Sequence, residues 1–112
     1  MGPEYLVVAS DQRPFWSSGS CRVWVGVRES GDDAGALVFT GEDTAYLGDP
    51  GHSYEYWVTV RPDQFPKLLS ALRADPGADV VDLVCSHADE IMARGERSWL
   101  DDHDIDRGFH CY

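Results

Sequence analysis

The residues able to do chemistry sit mainly in the second half of the chain. Asp101-Asp102-His103-Asp104-Ile105-Asp106 places carboxylates at 102, 104 and 106, matching the first three acidic positions of a calcium loop. The sixth position is Arg107, where such a loop needs glycine, and the sequence ends at Tyr112, short of its distal glutamate. An EF-hand is therefore excluded, and neither metal nor cofactor is expected. His103, His110 and Cys111 match no zinc-finger or metalloprotease spacing. Cys85 and His87 are two positions apart, so a helix carrying them points them away from each other. His52, in Asp49-Pro50-Gly51-His52-Ser53, has no identifiable nucleophile partner. The chain has no phosphate-cradling glycine loop and no GxSxG elbow. These patterns point away from an enzyme.

Charge is the stronger signal. Twenty acidic residues face nine basic ones, for a formal charge of -11. Residues 75–106 hold ten of those acids against Arg94 and Arg97 alone, so uniform acidity does not account for the distribution. At about 100° per residue, a helix carrying Asp79, Asp82, Asp89 and Glu90 turns them away from Val84 and Ile91. Like charges so arranged do not stabilise a helix. They serve as a solvated face or steer a cationic partner. The expected interface is thus Asp79, Asp82, Asp89 and Glu90, extended by Asp101, Asp102 and Asp104. Trp16 is a candidate aromatic anchor, in a segment from Asp11 to Ser20 that reads as a loop. Nucleic acid and anionic membrane are poor partners for this surface, whereas a basic protein is a good one.

Elements must position these groups. With 43% apolar, 12% aromatic and 26% charged residues, 112 residues suit one globular domain, spanning 1–112. No apolar run reaches membrane-spanning length, the N-terminus lacks the form of a signal peptide, and three cysteines without CxxC spacing favour reduced thiols. A cytoplasmic location is expected. Period-two patterns predict strands over 5–9, 21–28, 36–40 and 54–60, with 45–47 as a further candidate. After Pro62 the period changes: Phe65, Leu68, Leu69 and Leu72 mark a helix capped by Asp63. A second helix begins at Asp75 or Asp79 and runs to Arg94-Gly95, and a short third one starts at Ser98. Phe109 to Tyr112 reads as a last strand. The expected fold is α+β, a mainly antiparallel curved sheet covered on one face by two or three helices.

The stretch from Tyr54-Glu55-Tyr56-Trp57-Val58 through Leu68-Leu69-Ser70-Ala71-Leu72 resembles small bacterial immunity proteins of contact-dependent and polymorphic toxin systems. Asp75-Pro76-Gly77-Ala78-Asp79-Val80, Trp99-Leu100-Asp101-Asp102-His103 and Phe109-His110-Cys111-Tyr112 belong to the same resemblance, which covers about half the chain. It implies a cytoplasmic, non-enzymatic inhibitor that occludes the basic C-terminal domain of a secreted or contact-dependent toxin. It assigns no toxin-contacting residue. The alternatives are an acidic adaptor or regulatory module and, behind it, a small enzyme or ligand-binding protein.

Overall fold

The computed structural model describes residues 9–19, 21–29, 31, 34–43 and 54–111. Five strands form one antiparallel sheet in chain order: β1 (Ala9–Ser18), β2 (Cys21–Arg28), β3 (Leu37–Asp43), β4 (Tyr54–Val60) and β5 (Gly108–Cys111). Between β4 and β5 the chain makes a 3₁₀ turn (Pro62–Gln64) and four short helices: α1 (Phe65–Ala71), α2 (Val80–Ser86), α3 (Ala88–Arg94) and α4 (Glu96–Asp102). The α+β class is as expected, but the expectation of a curved sheet under two or three helices is wrong. The sheet is flat and uncurled, and four helices accompany it. Curvature needs bulges in the central strands. Here β2, β3 and β4 pair residue for residue without interruption, from Cys21↔Asp43 to Val27↔Leu37 and from Asp43↔Tyr54 to Leu37↔Val60.

Period two sorts the side chains. Val23, Val25, Leu37, Phe39, Val58 and Val60 share one face, each almost wholly buried. Against them pack Leu68 and Leu72 from α1, Val84 from α2, Ile91 from α3, Trp99 and Leu100 from α4, and Ile105. Leu69, expected in the same core, is buried but lies outside this cluster. Val38 and Trp57 form a small buried pair on the opposite face.

Three elements differ from their expected form. The segment read as a loop around Phe15-Trp16 belongs to edge strand β1, whose register shifts once between Ser10 and Arg13 and again between Pro14 and Trp16. Two extra residues scramble the alternation, which hides the strand from a period-two reading. The single helix expected up to Arg94 is divided at His87, which has φ -118° and ψ 25°. There Ser86 Oγ donates to the Asp82 carbonyl at 2.9 Å and His87 N–H turns back to Val84, a local competition that bends helices. Asp63 lies within the 3₁₀ turn and caps nothing, while α4 starts at Glu96 without the capping box expected from Ser98. The last strand is β5, antiparallel to β4. The strand expected over 5–9 is described only from Ala9, and the one over 45–47 lies outside the described residues.

Candidate interaction surface

Five of the seven acids of the expected interface lie on helices, with Asp79 as the N-cap of α2 and Asp104 just past the end of α4, and all seven are exposed. They do not form one helical face, because the break at His87 separates Asp79 and Asp82 on α2 from Asp89 and Glu90 on α3. Most also have local work. Asp79 is the N-cap of α2, its Oδ1 accepting from the backbone N–H groups of Val81 and Asp82 at 2.9 and 3.0 Å. Asp82 pairs with Arg13 of β1 at 2.6 Å. Glu90 accepts from His87 Nδ1 at 3.1 Å and Arg73 Nη2 at 3.2 Å. Those bonds, His87's first, hold its carboxyl below the ordinary range.

The α4 end follows the same pattern. Asp101 takes both Nε and Nη2 of Arg107, at 3.2 and 2.8 Å. Asp102 takes Nε and Nη2 of Arg94, at 2.7 and 3.3 Å, and this bidentate bond keeps its carboxyl below the usual value. Lys67 donates to the Asp104 carbonyl at 3.0 Å and lies 3.8 Å from its carboxylate. Arg61 reaches Asp106 at 3.4 Å. Asp89 has no ion pair or hydrogen bond among the described residues.

The acid-rich stretch 75–106 thus draws in five cations from the rest of the chain: Arg13, Arg61, Lys67, Arg73 and Arg107. The concentration of charge seen along the sequence is largely evened out in space. Trp16 is half-buried and packs against the main core, so its first role is structural.

One polar feature gave no sequence signal. Glu96, at the start of α4, is only 5% exposed, and its Oε2 accepts from the Tyr56 hydroxyl at 2.7 Å. Burial first, and the neighbouring carboxylate second, push the Tyr56 hydroxyl far above its ordinary pKa. The Tyr56 ring lies flat over Gly41 of β3, where a Cβ would overlap it. The same two causes act on nearby Cys21, whose thiol is raised by burial first and then by Asp43 and Glu96. A thiol so placed is a poor nucleophile.

The described histidines are each engaged: His87 with Glu90, His103 over Trp99 at 4.4 Å between ring centroids, and His110 beside Trp57 at 5.5 Å. His52 lies outside the described residues. Among the described residues, no group of three or more His, Cys, Asp or Glu side chains is arranged to hold a metal ion. No described helix is long and apolar enough to cross a membrane. Neither a protein-family model, nor a curated protein, nor a solved structure matches this chain.

Proposed function

We propose that the protein is a non-enzymatic binding module for a basic protein, acting as an immunity protein that occludes a cognate toxin domain. The observation that carries this reading is the exposure of seven carboxylates on and beside α2, α3 and α4 in a chain of net charge -11. Their ion pairs do not remove them from use. Exposed pairs contribute roughly 0–1 kcal/mol each, so an incoming arginine or lysine can replace the internal one at little cost. Asp89 stands open beside them. The acids steer the encounter, and contacts made after docking set the lifetime of the complex.

The test is protection. A basic toxin domain is the expected binder captured from the native organism, and cells producing it should resume growth when the protein is co-produced. The two purified chains should form a complex whose association slows as salt rises. No rescue and no complex with that domain would remove the immunity reading.

A further inference from the structure

The second register shift in β1 makes a cleft. Pro14 pairs with Trp24 and Trp16 with Val23, so Phe15 is one residue too many for the ladder. Phe15 and Trp16 consequently both turn toward the helix-covered core, where both pack. The opposite face is left without a side chain between Pro14 and Ser17. The gap is an open, shallow one of about 420 Å³, lined by Pro14, Phe15, Trp16, Ser17, Arg22, Val23 and Trp24.

The lining is chemically distinctive for this chain. Six of the nine cations are tied to carboxylates and Arg97 lies over the Phe109 ring, 3.9 Å from its centroid. Among the described residues the Arg22 side chain has no hydrogen bond or ion pair, not even with Glu42, its neighbour across the ladder on β3. Trp24 is half-buried on the same face, two residues along β2, roughly 6.6 Å away. A guanidinium without a described partner beside a half-buried indole, with the Ser17 hydroxyl opposite, is suited to a carboxylate joined through a short linker to a flat ring.

We propose that this bulge cleft binds an arylalkyl carboxylate, with Arg22 taking the carboxylate and Trp24 stacking on the ring. The site goes beyond the reading as a partner for basic proteins and does not depend on it, since it lies on the sheet face away from the helices. The shared chemistry has two sources, a free arylalkanoic acid and the C-terminal aromatic residue of a peptide.

The test titrates the isotope-labelled full chain with 3-phenylpropanoate, N-acetyl-phenylalanine and N-acetyl-phenylalaninamide, following backbone and indole resonances. The two acids should shift Arg22, Trp24 and Ser17 saturably, with a dissociation constant on the order of 1 mM for ligands of this size. The amide, which lacks the carboxylate, should not. Tighter binding of the acetylated amino acid assigns the site to a peptide terminus, and tighter binding of the propanoate assigns it to a free acid. Arg22→Gln, at an exposed position, should weaken both acids roughly tenfold with the dispersion of the sheet resonances unchanged. Equal shifts from acid and amide, shifts untouched by Arg22→Gln, or no saturable shift would each overturn the proposal.

Discussion

Tyr56 and Glu96 show how one hydrogen bond ties a helix to the sheet. Tyr56→Phe keeps the ring over Gly41 but leaves a buried carboxylate oxygen without its donor, so it should lower the unfolding free energy by about 1–3 kcal/mol. Urea denaturation measures this, and an unchanged midpoint would show that water replaces the phenol. Tyr56 was legible as an inward residue of a strand; its contact with Glu96 was not, because nothing in a sequence brings positions 56 and 96 together. The acids at 90 and 102 make a second prediction. Both carboxyls sit below their ordinary pKa when folded, so the folded chain binds fewer protons there than the unfolded one. Their contribution is therefore present above the ordinary carboxylate pKa and is lost as pH falls through the folded value. Asp102→Asn should remove that contribution, lowering the neutral plateau of a stability-against-pH curve slightly and flattening its acid limb by the same small amount, while the two proteins converge at low pH.

At the scale of elements, β2, β3 and β4 were the most readable parts, and the cap of α2 was narrowed to Asp75 or Asp79. Tyr54 to Val60 alternates without fault and forms β4 over that range. Asp79 precedes an apolar stripe and caps α2. Asp79→Ala should therefore cost about 0.5–2 kcal/mol in chemical denaturation. Leu72, 2% exposed at the end of α1, should cost about 2–5 kcal/mol when truncated to alanine, and no change would misplace it. The division at His87 was not readable, because Val80, Val84, His87 and Ile91 keep helical spacing straight through it. A side-chain bond from Ser86 to a carbonyl one turn back competes with the helix locally and leaves no mark on periodicity. β1 was missed for the complementary reason: its two shifts move Arg13 and Trp16 out of the simple alternation that defines a strand.

For the whole molecule, the acidic segment was evident from composition, but its neutralisation was not. The cations that meet it come from β1, from the turn after β4, from α1 and from the approach to β5. Association with a basic partner should accordingly respond to the total charge more than to any one acid. An Asp82→Asn/Asp89→Asn variant should associate severalfold more slowly at low salt, with dissociation nearly unaltered, and the difference should vanish as salt rises. Stopped-flow mixing across a salt series reads this; identical rates in both proteins would take these two residues out of the encounter surface. The order of the strands has a further consequence. β1 to β4 are neighbours in the sheet in the order of the chain, whereas β5 meets β4 only after the chain has passed through the helices described between them. Closing a loop that long is entropically slow compared with zipping a hairpin. The meander is thus the natural early structure during folding. The pairing of β4 with the four residues of β5 should form late, and amide hydrogen exchange should find the β4–β5 seam less protected than the pairing of β2 with β3.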